Sequence, residues 1–424
     1  MNKNIKLAVA GAVLALSATA ANAGIIIPAG DWTLDISGNV NTYSVWTKND
    51  RNAAGTAING GLTALSNGTG NNNTSNNMTT GLLPNFLSVS GSTRQNDLDV
   101  TFLISIQPGS SNTGALQGAA GGYCGTVANG ASPGCTNQNN RQAFLTFGDK
   151  SWGTVKVGKD LGVFASDAIL SDMTLLGVGA STGGGGNTTL GRIGAGYIYA
   201  DWKPQISYTT PNFNGFQATG ALTQAWDQVE GAVNSATSTS RGGASTAYEG
   251  KASYSFAAND VTGKVWVSGI AQKTVINRVV DDTTVYAGDI GANVNYAGFG
   301  LTGYYYAGSG IGTTGQMLSG YGITTTGAAG ANQRDSDGGY IQATYVLPTK
   351  TKVGVSWGIS NLDQADREVQ ATLVKENEMW VAGVYHPLTK HLNLVAEYSY
   401  LRSQNQGGVE DKAYSGSLGA ILFF

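Results

Sequence analysis

The sequence is poor in charge and in the residues that metal sites and catalytic centres use most. Only 12% of its 424 residues are Asp, Glu, Lys or Arg, and it holds two histidines and two cysteines. The histidines, His386 and His391, bracket the turn HPLTK without a partner motif, so neither a zinc site nor a catalytic triad is predicted. Hydrolase, nucleotide-binding and metalloprotease motifs are also missing. We therefore expect no enzyme activity, no metal and no cofactor.

Long apolar runs are missing as well. After residue 23 the chain has no stretch of the roughly 18 to 20 apolar residues that a membrane-spanning helix needs. The opening residues do hold a shorter apolar run, preceded by lysines and followed by Ala21-Asn22-Ala23, which predicts a signal peptide over residues 1–23, cleaved after Ala23. The remainder, 24–424, is expected to be one exported domain. The net charge of −3 and the lack of a basic patch argue against nucleic acid as a partner.

Short alternating segments fill the rest of the chain. In TVKVGK, Val155 and Val157 oppose Lys156, and KVGVSWGIS alternates in the same way, which is typical of strands between an apolar and a polar environment. Sixteen such segments are predicted. They lie near 31–47, 84–92, 97–107, 141–148, 152–159, 196–209, 214–225, 247–257, 261–272, 284–297, 299–307, 338–347, 351–360, 376–386, 391–401 and 412–424.

The connections between these segments alternate strictly between short turns and long loops. This asymmetry predicts an all-β fold, a 16-stranded antiparallel transmembrane β-barrel with short periplasmic turns, long external loops and both termini on the turn side. Closure leaves no unpaired strand edge in the hydrocarbon of the membrane. A soluble all-β sandwich is the alternative, but the polar faces and the one-sided long loops do not favour a dry core.

The third long loop, about 160–195, lacks the alternation and needs a separate interpretation. Its stretch DAILSDMTLLG predicts a short helix with Ser166 or Asp167 as N-cap and with Ile169, Met173 and Leu176 packed on the barrel wall. The glycine run 183–186 would form a flexible return. Because sixteen strands enclose a lumen wider than side chains fill, we expect this loop to fold inward and narrow it. A mobile external loop is the alternative.

Several stretches resemble the classical trimeric general porins of Gram-negative bacteria. They are RQAFLTFGDKSWGTVKVGKD, DAILSDMT, LGRIGAG and ISYTTPNFNGFQATG, followed at the end of the chain by YSGSLGAILFF with its terminal Phe424. The resemblance implies a homotrimer in the lipid of the cell outer membrane. It also implies a water-filled channel for passive diffusion of ions and small hydrophilic solutes, with the third loop inside the lumen.

The same resemblance implies where a pore constriction lies. Arg141 and Arg192 match basic residues of the family's barrel wall, and Asp172 matches a carboxylate of the inserted loop. Alternation adds Lys156 as an inward-facing residue, and Asp167 is placed with this group on the predicted helix. Where the family often has another wall arginine this chain has Phe86, and its second loop carboxylate is also missing, so we expect only modest ion selectivity.

Two further expectations complete the sequence-based picture. Cys124 and Cys135 lie in a Gly-rich loop of an exported chain, which favours a disulfide between them.

Two other functions stay open beside the diffusion channel. The first is a solute-selective uptake channel, which would carry aromatic and arginine residues along its lumen. The second is a structural or adhesive barrel or a scaffold for a partner protein.

Overall fold

The computed structural model describes most of the chain. The described residues are 24–65, 73–110, 138–184, 188–228, 239–276, 279–323 and 331–424. The predicted signal peptide (1–23) and the predicted Cys124–Cys135 disulfide lie outside them. Within them, no helix is both long and apolar enough to cross a membrane.

Sixteen antiparallel strands form a closed barrel, as the alternation predicts. Each strand pairs with the next, and the last pairs back with the first from Asp50↔Lys412 to Asn39↔Phe423. We number them β1 (Trp32–Asp50), β2 (Phe86–Gln95), β3 (Leu98–Pro108), β4 (Gln138–Asp149), β5 (Gly153–Leu161), β6 (Trp202–Thr209), β7 (Phe216–Gln228), β8 (Thr239–Ala258), β9 (Val261–Ile276), β10 (Val279–Tyr296), β11 (Phe299–Ser309), β12 (Asp335–Val346), β13 (Lys352–Leu362), β14 (Val374–Pro387), β15 (Leu392–Asn405) and β16 (Glu410–Phe423).

The closing seam is tight where the chain ends. Gly38 of β1 and Phe424 exchange both backbone hydrogen bonds, at 2.7 and 3.0 Å. A Cβ atom on Gly38 would meet the carbonyl oxygen of Phe86 at 2.1 Å, so only glycine allows the backbones to approach this closely. Two short strands extend the wall beside β1: Ile25–Ala29 continues the line of β16, and Thr74–Thr79 continues that of β2.

The boundaries of β6, β8, β9 and β10 differ from the sequence prediction. β8, β9 and β10 are longer than expected, so that β9 and β10 are separated by only residues 277–278 where a loop over 273–283 is predicted. Register pairs such as Thr274↔Thr283 continue the ladder through the segments KTVI and VVDDT, which show no alternation of apolar and polar residues. β6 begins at Trp202 rather than near 196, because residues 196–201 belong to the preceding loop.

The two faces of the barrel differ as the period of two requires. The outer face exposes large apolar side chains, among them Val40, Ile104, Ile206, Leu222, Ile290, Leu301, Val355 and Leu418. The inner face carries polar side chains, among them Asn41, Ser105, Gln142, Gln205, Glu249, Thr302 and Ser399. The apolar clusters lie inside the lumen, where loop residues such as Phe164, Tyr197 and Met317 pack on the wall. The inner space is therefore partly filled by loops.

The short connections use turns that match the twist of the strands. Asn96 and Asp97 between β2 and β3 both have positive φ, 48° and 61°, and Ala297 and Gly298 between β10 and β11 repeat this with 48° and 86°. Two consecutive positive φ angles are the signature of the type I′ hairpin turn. These turns hold neighbouring strands in register at the end of the barrel opposite the long loops.

Candidate functional site

The described parts of the third long connection, residues 162–184 and 188–201, lie inside the barrel and are called the inner loop below. It contains the α-helix α1 (Ser166–Ser171), a 3₁₀ helix (Met173–Leu176) and a two-stranded hairpin (Ala180–Gly184 with Thr188–Gly191). The predicted short helix is therefore present, and Gly183 and Gly184 of the glycine run belong to the first strand of the hairpin.

The predicted N-cap of this helix is wrong. The capping residue is Ala165, in the left-handed conformation with φ 61°, and its side chain caps nothing. The backbone N–H groups of the approach instead bond to wall side chains. Ala165 donates to Asp289 Oδ2 of β10 and to Ser268 Oγ of β9, both at 3.2 Å. Acceptors distant in the sequence replace the local cap.

A wall carboxylate on β8 holds the first part of the inner loop. Glu249 Oε2 accepts the backbone N–H groups of Val163 and Phe164 at 2.7 and 2.8 Å. Its other oxygen pairs with the Lys203 ammonium of β6 and accepts the Thr223 hydroxyl of β7 at 2.9 Å. Both members of the ion pair are buried. We call this arrangement the β8 clamp.

A second wall carboxylate on β15 repeats the arrangement at the far part of the loop. Glu397 Oε2 accepts the N–H groups of Val178 and Gly179 at 2.7 and 2.8 Å, and Oε1 accepts the Tyr385 hydroxyl at 2.6 Å. Gly177 lies directly against this carboxylate, since a Cβ atom there would be 2.1 Å from Glu397 Oε1. We call this arrangement the β15 clamp.

Between the clamps the inner loop follows one side of the wall. The Tyr340 hydroxyl of β12 donates to the Ala168 carbonyl at 2.8 Å, and Gln342 Oε1 accepts the Met173 N–H at 2.6 Å. On β1, the Tyr43 hydroxyl donates to the Leu176 carbonyl at 2.6 Å. These bonds place the loop along β8 to β16 and β1, and the inner faces of β2 to β5 lie across the lumen from it.

Asp167, predicted for the constriction, lies between two lysines of the wall. Its carboxylate pairs with Lys264 of β9 and with Lys251 of β8, the latter at 2.9 Å. Burial alone would raise the pKa of the Asp167 carboxyl, but the two ammonium groups outweigh it and the pKa is lowered. The carboxylate is 7% exposed, whereas the Lys264 side chain is 36% exposed, so the cations reach the water of the lumen further than the anion.

Asp172 and Arg192, also predicted for the constriction, are buried between loop and wall. Asp172 is 4% exposed and caps the 3₁₀ helix by accepting from the N–H and hydroxyl of Thr174 and from the Tyr197 hydroxyl. Arg192 is 0% exposed; its Nη1 donates to the Met379 carbonyl at 3.1 Å. Burial lowers the pKa of the Arg192 guanidinium. Because both groups are buried, neither can contact a solute that passes through the lumen.

Arg141 and Lys156, the other two predicted residues, lie on the wall across from the inner loop. Arg141 lies within a register shift of the β3–β4 pairing, and its guanidinium carbon is 5.9 Å from the centroid of the Trp202 ring. Lys156 is 26% exposed; its ammonium pairs with buried Asp160 and lies 4.8 Å from the Phe144 ring centroid. Whether any of the five predicted residues governs permeation stays a prediction.

Several residues of the site are not among those predicted. Alternation in YEGKASY already places Glu249 and Lys251 on the inner face, and Lys264 follows in the same way from VTGKVWVS. Their height in the barrel and their contacts with a loop about a hundred residues earlier could not be read from it. In the described part of the chain, no three His, Cys, Asp or Glu side chains converge as a metal site would require.

Comparisons with known proteins agree with this architecture. A family model described as Gram-negative porin matches residues 8–406. The outer-membrane channel DcaP of Acinetobacter baumannii is 14% identical, with a TM-score of 0.64 over 95% of this chain and 100% of its own. OmpF of Salmonella typhi, in complex with daunomycin, is 14% identical with a TM-score of 0.57 over 94% and 100%.

A trimer form of in-vitro folded OmpT of Vibrio cholerae is 11% identical, with a TM-score of 0.51 over 93% of this chain and 99% of its own. At such low identity these structures show the fold alone. No curated protein matches the sequence.

Proposed function

Because this chain belongs to the Gram-negative porin family and is an outer-membrane channel for passive diffusion, we propose that solutes pass between the inner loop and the faces of β2 to β5. The observation that carries the proposal is the position of the inner loop, which both clamps hold along the opposite side of the lumen. Serines and threonines of β2 to β4 line the free side and suit small hydrophilic solutes. The family and the fold point to a channel and not to an enzyme.

The charges of this passage favour anions. The carboxylates of Asp167 and Asp172 are turned into contacts with wall and loop, whereas Arg141, Lys156, Lys251 and Lys264 retain exposure inside the barrel. Solvated cations around a loop whose carboxylates are buried raise the local concentration of anions. We therefore expect a modest preference for anions, which gives a sign to the weak selectivity predicted from the sequence.

Single-channel recording tests the proposed function. Folded protein in a planar bilayer under a KCl gradient is expected to open in discrete steps, with a reversal potential of the sign that marks chloride as the more permeant ion. A reversal potential of the opposite sign, which marks potassium as the more permeant ion, would contradict the preference for anions. If protein that is demonstrably folded and inserted carries no current, the open channel is contradicted and the structural or scaffold function is favoured.

The double substitution Arg141→Gln and Lys156→Gln tests which charges set the selectivity. We expect the chloride-to-potassium permeability ratio to fall roughly threefold, the effect of removing a local potential of about half a kT per elementary charge, because the potential acts on the two ions with opposite sign. Lys150→Gln, in the exposed turn between β4 and β5, is the matched control and should leave the ratio unchanged. An unaltered ratio in the double variant would remove both residues from the conducting path.

A homotrimer is the assembly proposed for this channel. The family resemblance and the trimer form of a protein with the same fold support it. Trimers would open in groups of three equal steps and would migrate as a high-mass band on gels before heating. Single, ungrouped steps together with a monomer mass in mild detergent would contradict the proposal.

A further inference from the structure

Two wall cations of the proposed passage rest on aromatic rings. The Arg141 guanidinium lies over Trp202, and the Lys156 ammonium lies over Phe144. Phe86, at the position where the family often has an arginine, approaches the Trp202 ring to 6.4 Å between centroids. These five residues are called the cation–aromatic shelf below.

All five side chains retain partial exposure to the lumen. Phe144 and Lys156 belong to the inward rows of β4 and β5, and Phe86 belongs to the inward row of β2. Trp202, at the start of β6, is held inside the barrel by its contact with Phe86. The shelf therefore presents ring surface and positive charge together, on one side of the lumen.

The charge of the shelf is only partly neutralised within the described residues. Lys156 is paired with Asp160, whose carboxylate is buried behind it and also accepts from Gln142 at 3.0 Å. Arg141 pairs with no carboxylate of the described residues, and its backbone N–H donates to Gln107. The guanidinium is thus available to a carboxylate from solution, which it can bind through two parallel hydrogen bonds.

The inner loop adds apolar surface inside the same lumen. Leu170, Leu175, Leu176 and Leu190 are partly exposed, and since the loop lies inside the barrel their exposed parts face the water there. Because Trp202 and Phe86 pack on the same apolar clusters as these leucines, a solute at the shelf meets cations, aromatic rings and aliphatic surface together. A small inorganic anion uses the charge alone, while a flat apolar anion uses both surfaces.

We propose that the cation–aromatic shelf is a binding subsite for small aromatic carboxylates, and that it makes the channel favour them over other anions of equal charge. This inference rests on the proposed diffusion function and names its preferred solute class. The carboxylate bonds to Arg141 or Lys156. The solute ring stacks on the guanidinium plane or packs against Trp202 and Phe144 in offset or edge-to-face geometry.

The test compares two carboxylates that differ in aromaticity. Channels that open in KCl are bathed asymmetrically in potassium benzoate or potassium cyclohexanecarboxylate, which match in charge and nearly in size. We expect benzoate to be roughly two- to fivefold more permeant, or to block the chloride current at a correspondingly lower concentration, as one exposed aromatic contact provides. Benzylamine, an aromatic cation, should show no such advantage.

Trp202→Leu removes the ring while keeping an apolar side chain. It should bring the ratio of benzoate permeability to cyclohexanecarboxylate permeability close to one. Trp380→Leu, on the outer face of β14, is the matched control and should keep the wild-type ratio. Phe144→Leu is the second variant and decides the matter if Trp202→Leu does not fold. Equal permeation of the two carboxylates in wild type, or an unchanged ratio in a folded shelf variant, would overturn the inference.

The recordings separate this inference from the proposed function. Failure to conduct KCl at all would contradict the channel itself, whereas normal KCl steps without a benzoate preference would contradict only the subsite. A preference lost in Arg141→Gln but kept in Trp202→Leu would assign the effect to charge alone and would also overturn the role of the rings.

Discussion

Replacing Glu397 with alanine is expected to release the far part of the inner loop and to make the open-channel current both larger and noisier. The substitution removes the shared acceptor of the Val178 and Gly179 N–H groups, at 2.7 and 2.8 Å, and the partner of Tyr385. Hydrogen bonds to a charged group contribute about 1.5 to 3 kcal/mol each. A net loss of about 3 kcal/mol would raise the undocked population of this segment roughly a hundredfold.

Glu397→Gln is the matched control, because it keeps the shape of the side chain and removes its charge. Glu397→Gln retains an amide oxygen that can still accept both N–H groups, so its conductance and noise should stay near those of wild type. The readout is the mean and the variance of the single-channel current in symmetrical KCl. If Glu397→Ala conducts like wild type in both respects, the β15 clamp does not hold the loop in place.

Breaking the buried ion pair of the β8 clamp is expected to have the largest effect on stability. Lys203→Met leaves Glu249 buried without its cation, and removing one partner of such a pair costs about 3 to 5 kcal/mol. Adding Glu249→Gln removes the uncompensated charge while keeping an acceptor for the Val163 and Phe164 N–H groups. We expect the double variant to regain most of the lost free energy of unfolding.

Urea titration followed by unheated gel electrophoresis measures this comparison, because a folded barrel and its unfolded chain migrate differently. The midpoint should fall for Lys203→Met and recover for Lys203→Met with Glu249→Gln. Equal midpoints for the single and the double variant would mean that the buried charge of Glu249 is not the source of the loss. Lys203 and Glu249 would then contribute to the free energy of unfolding only through the packing of their side chains.

The sequence was most informative where a local period determines the structure. Alternation around Val155, Lys156 and Val157 predicted both the strand and its faces, and the same reasoning held for all sixteen strands, since each face of a barrel strand meets one environment. It failed at the outer ends of β8 to β10, where the strands extend through segments in which apolar and polar residues do not alternate. There the neighbouring strand, and not the side-chain pattern, supports the extended backbone.

The inner loop shows why the rest of the site could not be predicted. Its helix was readable from apolar spacing, but the helix start depends on acceptors such as Asp289, 124 residues from Ala165. Asp172 and Arg192 matched charged positions of the family, yet whether each faces water depends on contacts with Tyr197 and Met379 that no local pattern encodes. Residue type was predictable at these positions, and orientation was not.

The spacing of the two clamps along the chain also has a consequence for biogenesis. Glu249 lies 86 residues after Val163, whereas Glu397 lies 219 residues after Val178 and is supplied by the last strand but one. The first half of the inner loop can be fastened once the middle strands have assembled, whereas Val178 and Gly179 gain their shared acceptor only when β15 is in place. The docking of these two residues on the wall therefore belongs to the final steps of folding.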